Sequence, residues 1–136
     1  MAMICFAHIG LNCIDPIKIE KFYEKHFGFE RRNVFKTDSG EEIIMIGDGK
    51  TYIELFSTFQ VSNRKKSELT GPEGRGWRHI CFAVDNLEEK LSQIGEELKI
   101  TYGPVKLDSF VQGMKACWIE DPEGNVIELC EGYRDW

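Results

Sequence analysis

The sequence has no C-x-x-C pair, only three histidines and four prolines in 136 residues, and no excess of positive charge. Each shortage removes a class of protein. The five cysteines, Cys5, Cys13, Cys81, Cys117 and Cys130, are odd in number and lie apart, each in an apolar run. Neither a secreted disulfide framework nor a zinc knuckle fits that spacing, so they read as small buried core residues in a reducing compartment. Lys and Arg number 17 against 23 Asp and Glu, a formal net charge of −6. That balance gains little from a polyphosphate and predicts no nucleic-acid partner. The longest apolar stretch, residues 1–14, is too short to span a bilayer. It contains His8 and Asn12 and has no basic leader, which predicts neither signal peptide nor anchor, and hence a cytoplasmic protein with no membrane partner. What is present is ordinary: 42% hydrophobic and 29% charged residues, a globular composition. A chain of about 150 residues buries about 68–70% of its unfolded surface, so this length supports a real core.

The chain also repeats itself. His8-Ile9-Gly10-Leu11, a helical pattern and Tyr52-Ile53-Glu54-Leu55 are followed by His79-Ile80-Cys81-Phe82, a second helical pattern and Val126-Ile127-Glu128-Leu129. The offsets are 71 for the histidines and 74 for the glutamates, so two separate features point to one duplicated module. In the first copy, alternation predicts a strand over 3–13. Asp15-Pro16 supplies an N-cap and a first-turn proline, and Gly28 a stop, for an amphipathic helix over 16–27. Strands are predicted at 30–35, 42–47 and 51–56, with Gly47-Asp48-Gly49 as a hairpin turn. The second copy predicts a strand at 77–84, a helix at 87–98, and strands at 100–102, 115–120 and 125–131, with Asp121-Pro122-Glu123-Gly124 as the last turn. The division is therefore a first β-α-β-β-β module over 1–56, a polar connector over 57–76, and a second module over 77–136. Arg64-Lys65-Lys66 in the connector reads as a solvated face.

Strand alternation sets Ile53 and Leu55 on one face and Tyr52, Glu54 and Phe56 on the other; Ile127 and Leu129 likewise oppose Glu128. His8 and His79 fall on faces shared with Phe6 and with Trp77, Cys81 and Ala83. Both glutamates thus interrupt apolar faces, where an unpaired carboxylate costs several kcal/mol. Taken singly, each has a plain reading, as a satisfied core histidine or a glutamate on an exposed edge strand. Taken together at repeat-related positions, His8, Glu54, His79 and Glu128 read as one divalent metal site suited to nickel, zinc, cobalt, manganese or iron. The third histidine, His26, sits in the last turn of the first helix, where a cation complements the helix dipole.

These residues, with Phe22-Tyr23, Phe27-Gly28-Phe29, Arg78-His79-Ile80-Cys81-Phe82-Ala83-Val84-Asp85 and Asp121-Pro122-Glu123-Gly124-Asn125, resemble the vicinal oxygen chelate superfamily, and within it glyoxalase I. The resemblance runs from His8 to Glu131. It implies an α+β fold of paired β-α-β-β-β modules, with a mixed curved sheet around a metal site. The 57–76 connector is long for a compact domain and the strands read as covered on both faces, which predicts a homodimer. The resemblance implies a metal-dependent isomerase or lyase acting on a hemithioacetal or related α-carbonyl small molecule through a metal-stabilised enediolate, with glutathione or another thiol as co-substrate. Glu128 would be the proton-transferring base and Glu54 the firmer ligand. Gly103-Pro104-Val105-Lys106 is similar to the segment that covers the glyoxalase site. Asn12, Phe56, Lys106, Met114 and Trp118 are the candidate substrate-binding residues; Phe56, Met114 and Trp118, like Tyr52, serve equally well as core. Two positions depart from the glutathione-dependent pattern: Asn12 stands where an arginine is usual, and Thr58 where an asparagine is usual. A neutral side chain cannot make the bidentate carboxylate pair an arginine makes. The alternatives within the superfamily are an epimerase, a ring-cleaving dioxygenase, or a metabolite- or antibiotic-binding resistance protein without turnover.

Overall fold

The computed structural model describes residues 3–58 and 77–134. The chain divides into two compact units, Met1–Ser62 and Asn63–Trp136. Most of the connector, including Arg64-Lys65-Lys66, lies outside the described residues. Among the described residues, no helix is long and apolar enough to cross a membrane.

The first unit runs β1 (Ile9–Cys13), α1 (Pro16–Phe27), β2 (Glu30–Lys36), β3 (Glu42–Gly47) and β4 (Tyr52–Ser57). Its sheet order is β1-β4-β3-β2, with β1 parallel to β4 and the other pairs antiparallel. Helix α1 begins where the sequence places it: the Asp15 side chain accepts the Lys18 N–H at 3.1 Å, and Pro16 needs no partner for an N–H it lacks. It ends at Gly28, whose φ of 69° an L side chain resists, and Phe29 N–H closes on the Tyr23 carbonyl at 3.3 Å. The helix buries Ile19, Phe22 and Tyr23 and packs against β4, where Ile53 and Leu55 are buried, and Ile44 and Ile46 of β3 continue that core opposite them in register. Each such fully buried side chain contributes about 1.5–3 kcal/mol. Glu20 is also buried, and Arg31 on β2 grips it with two hydrogen bonds of 2.6 Å.

The second unit repeats the plan with β5 (Ile80–Val84), α2 (Leu87–Ile94), β6 (Ile100–Lys106), β7 (Lys115–Glu120) and β8 (Val126–Glu131), in the order β5-β8-β7-β6. Asn86 caps α2 by accepting the Glu89 N–H. The fully buried Asp121 organises the last turn, accepting N–H bonds from Glu123 and Asn125 and an amide hydrogen from the Asn125 side chain.

Several boundaries differ from the sequence expectations for identifiable reasons. The strand predicted over 3–13 starts at Ile9, and that over 77–84 starts at Ile80. Each is parallel to a strand that begins just after a turn, β4 after Asp48–Thr51 and β8 after Asp121–Asn125, so the ladder runs out within one residue before Ile9 and Ile80. The helix predicted to 98 ends at Ile94, where Gly95 breaks it into a short 3₁₀ turn over Gly95–Glu97. The strand predicted over 100–102 continues to Lys106, so Gly103-Pro104-Val105-Lys106 is part of an edge strand of its sheet. An edge tolerates Pro104, and Gly103 (φ 93°) passes so close to β7 that a Cβ there would stand 3.0 Å from the Ala116 carbonyl oxygen.

Candidate functional site

Each unit carries one imidazole–carboxylate pair built the same way. His8 immediately precedes β1, whose Gly10 lies opposite Glu54 of β4; His79 immediately precedes β5, whose Cys81 lies opposite Glu128 of β8. The histidine therefore reaches diagonally to the carboxylate on the neighbouring strand. His8 Nε2 stands 3.0 Å from Glu54 Oε2, and His79 Nε2 stands 2.7 Å from Glu128 Oε2. Two donors bound at a right angle to one ion, with bonds of about 2.1 Å, are about 3 Å apart, so each pair fits two neighbouring positions on a divalent ion. Among the described residues, neither unit alone gathers three or more His, Cys, Asp or Glu side chains able to hold a metal.

The surroundings of the two pairs differ. The side chains of His8 and Glu54 are 42% and 20% exposed, whereas those of His79 and Glu128 are 26% and 11% exposed. The expectation of four residues inside apolar faces holds best for Glu128, which is buried, and fails for His8, which lies on an exposed stretch before β1. The Nδ1 atom of His79 is buried and has no hydrogen-bond partner among the described residues, so Nε2 alone carries its polar contact. The ring also lies edge-on to Trp118, at 6.4 Å between centroids, and Trp118 in turn meets Tyr102 at 5.5 Å.

The remaining sequence candidates are scattered in character. Asn12 is exposed and lies opposite Phe56 in the β1–β4 register; Phe56 is half-buried with its ring over Gly10. Trp118 is half-buried beside His79, and Lys106 is exposed on β6. Met114 belongs to the core instead, 2% exposed among Val111, Ala116 and Cys130. Tyr52 lies across Gly47, where a Cβ would collide with its ring. The Thr58 amide donates to the Cys13 carbonyl at 3.0 Å. Of the cysteines expected in the core, Cys13, Cys117 and Cys130 are buried, but Cys5 and Cys81 are exposed. His26 occupies the last turn of α1 as expected, and its ring is buried against Phe22.

One feature escaped the sequence reading. The Sγ atoms of Cys81 and Cys130 are 3.3 Å apart, on the sheet face that carries His79 and Glu128. Burial pushes both thiols up, and the negative charge of Glu128 adds to the push on each. The signal was present in the repeat, since Cys81 and Cys130 stand two residues after His79 and Glu128, but two cysteines 49 positions apart carry no spacing motif.

The comparisons with known proteins agree with this architecture. The family model for the Glyoxalase/Bleomycin resistance protein/Dioxygenase superfamily matches residues 6–129. The chain belongs to that superfamily. A glyoxalase family protein of Enterococcus faecalis superposes with a TM-score of 0.72 at 26% identity, covering 91% of this chain and 94% of that one. Among curated relatives, the Bacillus subtilis protein YwkD is 29% identical over 91% of this chain and 94% of its own length. A second Bacillus subtilis protein, named a probable trivalent organoarsenical cleaving enzyme, is 30% identical over 91% of this chain and 77% of its own. The superfamily's α+β fold of paired β-α-β-β-β modules is the fold of this protein.

Proposed function

We propose that this superfamily member is a metal-dependent isomerase or lyase of glyoxalase type, acting on a hemithioacetal or a related α-carbonyl small molecule. His8, Glu54, His79 and Glu128 are the donors for one divalent transition ion. The observation behind this reading is that each unit sets an imidazole nitrogen and a carboxylate oxygen 3.0 and 2.7 Å apart, the separation of neighbouring donors on one ion. Such an ion supplies Lewis-acid polarisation of two adjacent substrate oxygens. Glu128 takes the proton from the substrate C–H and returns it to the neighbouring carbon, and its drier surroundings suit a base better than those of Glu54. Phe56 and Trp118 border the substrate, and Asn12 and Lys106 reach its polar end. With Asn12 and Thr58 in place of the usual arginine and asparagine, a substrate with fewer carboxylates than glutathione is preferred. The working form is a homodimer.

The test is metal analysis of protein purified without added metal, then turnover of methylglyoxal with glutathione and with smaller thiols. Glu128→Gln is expected to lower kcat by about 10²–10⁴-fold, the usual worth of a positioned base. Protein whose melting temperature does not move with nickel, zinc, cobalt, manganese or iron(II) would overturn the reading, because ligation stabilises only the folded state.

A second reading has its own observation. One relative is named for cleaving trivalent organoarsenicals, and this chain carries two thiols 3.3 Å apart beside His79 and Glu128. On that reading the substrate is a trivalent organoarsenical, and release of inorganic arsenic is the activity to assay.

A further inference from the structure

Cys81 and Cys130 bring two thiols together at the edge of the second unit's core, with their sulfurs 3.3 Å apart. Cys81 is the exposed residue of the pair, although burial weighs on its thiol, whereas Cys130 is buried among Val111, Met114 and Ala116. Half-buried Leu107 and Trp118 flank that cluster and leave an apolar wall beside the sulfurs. Cys117 does not join them: on β7 it lies opposite Leu129, whose face is the other side of the sheet.

The register argues about what joins the two sulfurs. Cys81 lies opposite Glu128 and Cys130 opposite Ala83, so the cysteines are diagonal neighbours rather than direct partners. In a parallel pair, with strands about 4.8 Å apart and about 3.3 Å of rise per residue, neighbours offset by two residues stand about 8 Å apart, whereas a disulfide wants Cα atoms about 4.4–6.8 Å apart. A single atom inserted between the sulfurs relieves that mismatch; a direct S–S bond does not. Hard cations prefer oxygen ligands to thiols. Soft ions with two linear ligands would drive the sulfurs to opposite sides of the ion. A pyramidal trivalent atom instead holds two sulfurs side by side, close to the 3.3 Å spacing already present.

We propose that Cys81 and Cys130 form a dithiol site for a mono-organic trivalent arsenical, bound through both sulfurs with its organic group against the Leu107 and Trp118 wall. The proposal deepens the second reading above by naming the atoms that hold the ligand, and it requires no metal at His79 or Glu128. The reaction is a condensation. Each thiol gives its proton to an arsenic-bound oxygen, two As–S bonds replace the As–O bonds, and the oxygen leaves as water. Arsenic stays trivalent throughout, so no oxidant or reductant is consumed.

The experiment uses metal-free, reduced, full-length protein and phenylarsine oxide as the probe. One equivalent should remove two of the five thiols from reaction with an alkylating reagent, and peptide mapping should find the protected pair at Cys81 and Cys130. Cys81→Ser should weaken binding by about tenfold or more, since one thiol no longer chelates, while Cys5→Ser should leave it unchanged. The mapping is done on the unmutated chain, so the proposal stays testable even if a Cys130 variant folds poorly. Five reactive thiols after treatment, or protection at any other cysteine, would overturn it. Because no metal is present, failure here leaves the metal-dependent reading standing, and metal-free binding without arsenic release would separate this site from the cleaving activity.

Discussion

The two units have one frame and two chemistries. At the position opposite the glutamate, the first unit has Gly10 and the second Cys81; two residues beyond the glutamate stand Phe56 and Cys130. A Cβ on Gly10 would lie 3.3 Å from the Phe56 ring, so the first unit fills with an aromatic the space the second gives to two thiols. The helix starts diverge in the same way. Pro16 opens α1 and has no N–H to satisfy, whereas Leu87 opens α2 and donates its N–H to Glu131 Oε2 at 2.8 Å. Ser57, the counterpart of Glu131, has no such duty. A duplicated frame thus tolerates different side chains wherever the backbone's hydrogen bonds are met by another route.

The comparison can be pressed at its shared core first. Leu55 and Leu129 are both fully buried at matching places on β4 and β8. Leu55→Ala and Leu129→Ala should each cost about 2–5 kcal/mol in denaturant unfolding. A much smaller loss at one of them would show that the two cores are not built alike.

A smaller effect tests what is peculiar to the first unit. Arg31→Ala leaves the buried Glu20 carboxylate without its two 2.6 Å partners. The Arg31 side chain is 45% exposed, so water takes over part of the role, and a loss of about 1–2 kcal/mol is expected. Glu20→Gln should recover part of the Arg31→Ala loss, because the uncompensated charge disappears; no recovery would mean that the pair acts through packing alone.

The smallest effect concerns acid. The Leu87 N–H, and then Lys115, hold Glu131 below the usual carboxylate range, and the Thr51 and Lys50 amides do the same for Asp48 in the first unit. Between the folded and unfolded pKa values the unfolded chain binds more protons, so stability rises with pH there. The contribution is whole above the unfolded carboxylate value of about 4 and is lost as pH falls through the folded one. Glu131→Gln should therefore flatten the dependence of melting temperature on pH below about pH 5. An unchanged slope would assign the acid sensitivity to other carboxylates.

Much of this was legible in the chain. Asp15-Pro16 and Gly28 set the ends of α1 because caps and φ preferences act within a few residues. The bounds of β3 and β7 followed from alternation, and the Ile-Glu-Leu repeats put both glutamates at equivalent strand positions. What stayed illegible depended on partners distant in sequence. Where β1 and β5 begin is set by where β4 and β8 leave their turns, and the Glu20–Arg31 grip needs a helix laid on a strand. Met114 reads equally well as wall or core until its neighbours are known. The Cys81–Cys130 pair exists only because the β5–β8 register slides one strand along the other to that one position. Local sterics and hydrogen bonding, which the sequence carries by itself, determined the elements and their duplicated order. Strand register and packing, which join residues far apart in the chain, decided which side chains face one another.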